Sequence, residues 1–327
     1  MKERDTYFDF LRGMAIIMVI GIHTYVDGLM HFNLFLRQFL NCAVPIFLAI
    51  SGYFIGRKSF EEKGSYSRFL RKQIPRVYYP MLIWSIPWVL LSVKAGHNPL
   101  LTMLKACVGE MSIFYFIMLI MQYYILTPAI QRLNNKFGGG YSVIVTIFGI
   151  SLFDYVMRIK HANLTMVQSG SPFIVWMVFY VMGVLKAQGL RMPVRTKRPL
   201  VCAAIGIILS CIHIAWLHSH YGSIAHGIKL SSHLYTYFVI LWLFSDSARL
   251  WYDKAKKTKM ANWMNEMGKL SFFIYLTHCL ILFAMQYIHI PRIWPMKWLA
   301  CTLLSYMFAK LSDKICPAGI KKYIGLS

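Results

Sequence analysis

The sequence predicts an all-α, polytopic membrane protein of about ten transmembrane helices. Three observations carry this. Of 327 residues, 57% are hydrophobic and only 14% charged, with a mean hydropathy of +0.51, whereas a soluble domain carries about 25% charged residues. The apolar residues fall in long runs of spanning length. The basic residues cluster between those runs, as expected of loops that flank lipid-solvated helices.

The first apolar segment is 7–26. Lys2 and Arg4 ahead of it are what a signal peptide would carry, but Asp9 and Arg12 interrupt the run and no small-x-small cleavage site follows. It is therefore expected to remain as the first span. The next three, 36–56, 77–94 and 111–130, contain Pro45, Pro87 and Pro128 respectively. In lipid such prolines kink a helix without ending it, because neighbouring helices or water satisfy the freed carbonyls. Segments 141–157, 171–187, 199–217, 231–248, 269–288 and 297–316 complete the set, with no internal repeat and no low-complexity stretch. The longest polar stretches, 57–76 and 249–269, are far shorter than the roughly 50 residues an independent domain needs. Residues 1–327 are thus expected to form a single transmembrane unit with no separate soluble domain.

The net charge of +23 does not point to nucleic acid, because it is spread over short loops and not gathered on one face of a domain. Positive loops report orientation and contact with anionic inner-leaflet lipid. If the N-terminus is cytoplasmic, the inner segments hold 26 basic residues and the outer ones eight. That asymmetry predicts an even number of spans with both termini cytoplasmic. The seven cysteines are odd in number and form no CxxC pair, so neither a disulfide framework nor a zinc site follows. They read as small packing residues.

The first span contains Arg12 and His23. Ionisable groups within a span are expensive and default to function. The plain alternatives are an Arg12 that snorkels to the inner headgroups and a His23 that is a hydrogen-bonded buried histidine. Their spacing favours function: eleven residues at about 100° each make three turns plus about 20°, so both lie on one face, about 16 Å apart. One end of that face carries a fixed cation. The other carries a group that exchanges protons near neutral pH. Asp9, three residues before Arg12, can pair with it and hold the guanidinium there.

The stretch Tyr7-Phe8-Asp9-Phe10-Leu11-Arg12-Gly13-Met14-Ala15, followed by His23, resembles the opening of the integral-membrane acyltransferase-3 family. Its signature is an arginine and a histidine separated by ten residues in the first span. Val44-Pro45-Ile46-Phe47-Leu48-Ala49-Ile50-Ser51-Gly52-Tyr53 resembles the family's second span. Arg71-Lys72-Gln73-Ile74-Pro75-Arg76, then Tyr79-Pro80 and Trp84-Ser85, resembles the basic entry to the third. Tyr115-Phe116 and Tyr123-Tyr124-Ile125-Leu126-Thr127-Pro128 resemble the fourth, and Gly268-Lys269-Leu270-Ser271 with Tyr275-Leu276-Thr277-His278 the ninth. The resemblance runs in order through nearly the whole chain. One departure is Phe114-Tyr115-Phe116, where many members have a tryptophan.

The resemblance implies an acyl-CoA-dependent O-acyltransferase that modifies a sugar hydroxyl of a surface polysaccharide or of a lipid-linked saccharide, in a bacterial inner membrane. The expected acyl group is acetyl. Acyl-CoA would be a co-substrate, with no bound cofactor and no metal. The partners would be acyl-CoA, a carbohydrate or lipid-linked acceptor and membrane lipid. Acyl-CoA is polyanionic, so Arg12, Arg71 and Arg76 are the expected phosphate contacts, arginine being suited to bidentate grip. The pantetheine arm is roughly as long as the gap from Arg12 to His23, which would bring the thioester to His23. There His23 could serve as general base or as an acyl-carrying nucleophile. Asp9, Ser51, Tyr115 and His278 are supporting candidates, with Ser51 a poor nucleophile unless a base is placed beside it and otherwise free to bond its own backbone. His213, His218, His220, His226 and His233 cluster near the fourth outer loop, but their spacings match no standard metal motif; acceptor contact or solvation is the expected use.

Two other classes remain open. A transporter or flippase for a sugar, lipid or amino acid would also carry intramembrane Arg and His, although no inverted repeat or pair of broken helices is visible. A non-catalytic membrane module that recruits polysaccharide enzymes is the third.

Overall fold

A computed structural model describes residues 5–25, 31–160, 164–221, 227–287 and 293–326. Lys2, Arg4, His226 and Arg292 lie outside them. Among the described residues all regular structure is helical. The helices are α1 (Thr6–His23), α2 (His31–Leu40), α3 (Ala43–Gly56), α4 (Ser65–Lys94), α5 (Pro99–Cys107), α6 (Tyr115–Phe137), α7 (Gly140–Asp154), α8 (Met166–Gly170), α9 (Phe173–Gln188), α10 (Pro199–Tyr221), α11 (Leu230–Leu243), α12 (Asp246–Ala255), α13 (Lys259–Lys269), α14 (Ser271–Ala284), α15 (Trp294–Ile315) and α16 (Ala318–Ile324). One π turn, Tyr155–Ile159, extends α7.

The ten apolar segments are helical for most of their described lengths, although 36–56 is broken between α2 and α3, 231–248 runs from α11 into α12, and 269–288 begins at the end of α13. Five helical stretches are long and apolar enough to cross a bilayer: Thr6–His23, Asn33–Gly56, Ser65–Lys94, Gly140–Ile159 and Pro199–Tyr221. A sixth is formed by α13 and α14 if that bent pair counts as one span. Helices α9 and α11 are shorter but apolar. Large apolar side chains such as Ile144, Phe148, Ile208 and Ile212 are exposed on the flanks of α7 and α10. Water disfavours such a surface and lipid suits it. Pro75, Pro80, Pro87 and Pro128 all sit within continuous helix.

Small residues set the tightest helix contacts. A Cβ on Gly52 would stand 2.2 Å from the Tyr180 carbonyl oxygen, and one on Gly183 would stand 2.0 Å from that of Ala49. Helices α3 and α9 therefore touch backbone to backbone, the close approach that small residues permit in membrane bundles. Beside them Tyr123 and Tyr180 stack at 4.3 Å, and Thr127 Oγ1 lies 2.7 Å from the Tyr180 hydroxyl.

The same device docks α13 on α1. A Cβ on Gly13 would lie 2.0 Å from the Met264 carbonyl oxygen, and one on Gly268 would lie 1.7 Å from that of Asp9. The polar stretch 249–269 is thus no loose loop. It folds into α12 and α13, each begun by a side-chain cap: Ser245 Oγ accepts from Ala248 N, and Thr258 Oγ1 from Ala261 N. The chain then turns by 83° into α14, with the Ser271 hydroxyl donating to the Gly268 carbonyl at 2.8 Å. Lys269 ends α13 at that corner. Residues 318–326 return to the bundle, where Trp84 Nε1 donates to the Ile324 carbonyl at 3.0 Å and Leu326 is buried.

Candidate active site

A cavity of about 420 Å³ runs along one face of α1 and is lined there by Arg12, Val19 and His23. These positions are seven and four residues apart, the spacing of one helix face. Helix α3 supplies Ser51 and Phe54 and the loop after it Lys58, α4 supplies Gln73, Arg76 and Val77, and α6 with its entry supplies Ile113, Tyr115 and Phe116. The α13–α14 corner contributes Gly268, Lys269, Ser271 and Tyr275, and Gly325 contributes from the returning C-terminal segment.

One end of the cavity is cationic. Lys58, Arg76 and Lys269 are exposed there, and Arg12 is partly buried behind them. Arg12 Nη1 donates to Asp9 Oδ1 at 3.0 Å, with Asp9 almost wholly buried at 1% exposure. The guanidinium also lies over the Phe54 ring at 5.0 Å, an attractive placement for a delocalised cation. Two contacts thus fix a flat, multi-donor group at the cavity wall, as the (i, i+3) spacing to Asp9 anticipated. Arg71 is elsewhere: it lies along an exposed groove with Ser67, Arg68 and Lys72 on the first turns of α4.

The other end carries the histidines. His23 is the last residue of α1 and lines the cavity. The His278 ring, from the middle of α14, lies 5.4 Å from the His23 ring, centroid to centroid. His278 is fully buried. Its Nδ1 is 3.0 Å from the carbonyl oxygens of both Ile274 and Tyr275. Carbonyls only accept, so Nδ1 carries the proton and Nε2 is left with its lone pair. The Cys279 thiol approaches that nitrogen at 3.6 Å. Among the described residues His23 has no hydrogen-bond partner, so its ring nitrogens are available to a molecule in the cavity.

Between the two ends the wall is aromatic and hydroxylic. Tyr275 anchors its hydroxyl on the Ile113 carbonyl at 2.5 Å and packs against Phe114 and Phe116, ring centroids 6.4 and 5.7 Å away. Of the stretch Phe114-Tyr115-Phe116, Tyr115 and Phe116 line the cavity, while Phe114 is buried behind Tyr275 and does not. The turn into α6 holds Ser112 at φ +55°, a left-handed conformation that a serine adopts at a cost. That turn brings Ile113, Tyr115 and Phe116 to the wall. Ser51 faces the cavity with its hydroxyl unpartnered among the described residues; no imidazole is paired with it.

The structure therefore gathers Arg12, His23, Ser51, Arg76 and Tyr115 at one cavity, with Asp9 and His278 directly behind it, and leaves Arg71 outside. Lys58, Gln73 and Lys269 were not anticipated as wall residues. Lys269 stands within the Gly268-Lys269-Leu270-Ser271 motif, which was the available signal. Lys58 is one of several cations in its loop, and only the tertiary structure, which sets its Nζ over the Phe69 ring of α4 at 5.8 Å, selects it. The histidines of the 213–233 stretch take separate partners: His213 Nδ1 lies 2.9 Å from Ser231 Oγ, His220 Nδ1 lies 2.9 Å from the Trp216 carbonyl, and His233 is bound between the carbonyls of Lys229 and Val175. Among the described residues no three His, Cys, Asp or Glu side chains converge on one point.

Compared with known protein families, residues 5–309 match the family described as an acyltransferase domain. No curated protein and no solved structure matched the chain.

Proposed function

Because the chain belongs to the integral-membrane acyltransferase-3 family, we propose that it moves an acyl group, acetyl in the first instance, from cytoplasmic acyl-CoA to a hydroxyl of a sugar or lipid-linked saccharide. The observation that carries this reading is one continuous cavity with Arg12, Lys58, Arg76 and Lys269 at one end and His23 at the other. A CoA thioester has that polarity: phosphates at one end, a reactive carbonyl at the other, and a flexible, largely apolar arm between. The cations take the phosphates, with Arg12 and Arg76 offering paired donors. The aromatic wall takes the arm. Arg71, on the exposed first turns of α4, meets the donor on approach.

At the far end His23 acts as general base. A ring nitrogen takes the proton of the acceptor hydroxyl, and the oxygen attacks the thioester carbonyl carbon. A C–O bond forms, the C–S bond breaks, and the departing thiolate recovers the proton from the His23 imidazolium to leave CoA as the thiol. His278 is the positioning partner: its Nδ1–H is committed to the main chain, so its Nε2 can accept from His23 and steady the imidazolium. The bilayer setting is a bacterial inner membrane, with ten spans and both termini cytoplasmic, the arrangement that places the cationic end on the side where CoA is made.

The experiment is transfer of label from acetyl-CoA to a saccharide acceptor by the purified full-length protein in nanodiscs. Acylated product supports the reading. Movement of unmodified solute without acylation would replace it with a transporter.

A further inference from the structure

The end of α9 and the connector to α10 carry five cations, Lys186, Arg191, Arg195, Lys197 and Arg198. A charge run of this kind is ordinarily a solvated loop. Here the chain is held in place. Helix α9 ends at Gly189, in the left-handed region at φ +70°, and Leu190 N donates to the Leu185 carbonyl at 2.9 Å, the bond of a glycine C-cap. The Tyr237 hydroxyl of α11 accepts from Val194 N and donates to the Val194 carbonyl, both at 2.9 Å. Pro193 lies against the start of α7, where a Cβ on Gly139 would stand 2.9 Å from its Cγ.

The connector forms one wall of a groove of about 640 Å³, and the α11–α12 corner, with Leu241, Trp242 and Ser247, forms another. All five cations line this groove and no carboxylate does. Among the described residues none of the five is in an ion pair. The groove is continuous with the apolar flank of α10. Leu200 and Val201 line it, and Val201 begins an exposed stripe that runs on through Ile205, Ile208 and Ile212, the spacing of one helix face. Trp242 is an amphipathic ring of the kind that sits at headgroup level. The groove lies at the same end of the bundle as Lys58. Gln188 Nε2, at the end of α9, donates to the Gln131 carbonyl at 3.4 Å, and Gln131 Nε2 donates to the Gly56 and Lys58 carbonyls at 3.1 and 2.9 Å.

We propose that this groove binds one anionic phospholipid, its headgroup phosphate among the connector cations and its acyl chains along the α10 stripe. Cations alone would suit any soluble anion, and an apolar stripe alone any lipid. Their junction at Leu200 and Val201 fits a molecule with an anionic head and an apolar tail. Arginines offer the phosphate paired donors, and basic pockets at headgroup level are suited to anionic lipid. Five like charges on one short segment repel one another, and a phosphate among them offsets that repulsion. The groove shares no lining residue with the cavity of Arg12 and His23, so the lipid site stands whether or not the acyltransferase reading does.

The test is native mass spectrometry of the full-length protein in detergent, titrated with phosphatidylglycerol and, as the zwitterionic control, phosphatidylcholine. Wild type should bind its first phosphatidylglycerol about tenfold more tightly than phosphatidylcholine. Arg195→Gln/Arg198→Gln should bring the two lipids to within about twofold. Arg191→Gln/Lys197→Gln, in the same groove, should fall the same way and serves if the first pair does not fold. Lys254→Gln/Lys257→Gln removes two exposed cations outside the groove and should keep the wild-type preference. Wild type without a preference overturns the proposal, as does an unaltered preference in folded groove variants. An equal loss in the Lys254/Lys257 variant would mean diffuse attraction to the whole charged face, and overturns the site. Glycerol 3-phosphate, a phosphate head without tails, should not displace phosphatidylglycerol at equal concentration. If it does, the groove holds a soluble phosphate and the lipid assignment is overturned.

Discussion

His23 and His278 approach ring to ring at 5.4 Å, although 255 positions separate them and they sit on different helices. His278 is pinned through Nδ1 to its own helix, and His23 lines the cavity. The two rings stand side by side without a hydrogen bond between them, and the proposed roles of the pair are tested by two substitutions.

His23→Ala should leave the protein folded and inserted while acyl transfer falls by about 10²–10⁴-fold, the range for losing one catalytic base. CoA binding should persist. Near-normal acetylation by a well-expressed variant would remove His23 from the chemistry.

His278→Gln should act differently. It removes the pinned ring without vacating the space, so turnover should drop while KM for acetyl-CoA holds, and the pH dependence of kcat should shift because the partner of the His23 imidazolium has changed. A change in KM with kcat and its pH profile untouched would make His278 a packing residue.

Arg12→Ala should weaken acyl-CoA binding by roughly the 2–5 kcal/mol seen when one member of a buried charged pair is removed. Arg12→Lys should recover only part, since an ammonium lacks the planar fork. Arg76→Ala should weaken CoA binding more than Arg71→Ala, because Arg76 lines the cavity and Arg71 does not. Calorimetry with CoA on each purified variant decides this; equal losses for Arg71 and Arg76 would mean that the donor lies along the exposed groove instead.

Gly268→Ala should destabilise the protein by about 1–3 kcal/mol, the usual cost of overpacking, because its Cβ would stand 1.7 Å from the Asp9 carbonyl oxygen. No other site residue would be substituted, but α13 would move off α1 and carry the cavity-lining Lys269 with it. Thermal unfolding in nanodiscs, paired with CoA affinity, checks both effects. By contrast Gly140→Ala, where a Cβ would meet nothing within 4 Å, should be neutral; similar melting of the two variants would show that the α1–α13 contact is not tight.

Reporter fusions between Lys256 and Lys259 and at the C-terminus should read cytoplasmic, and a fusion beside Tyr221 external. A C-terminal reporter reading external would refute the even span count.

The sequence by itself determined the helical class and the position of every apolar segment, because hydropathy and chain length are local quantities that lipid enforces. It determined that Arg12 and His23 share a face and that Asp9 can hold Arg12, because helix geometry is fixed over a few turns. Only the tertiary structure decided that Lys58 and Lys269 join Arg12 and Arg76 while Arg71 stays outside, that the polar stretch 249–269 packs on α1, and that His278 comes to His23. Those outcomes depend on backbone approaches at Gly13, Gly268, Gly52 and Gly183. How closely two helices meet is set by the facing residue of a distant segment, and no local pattern names that segment.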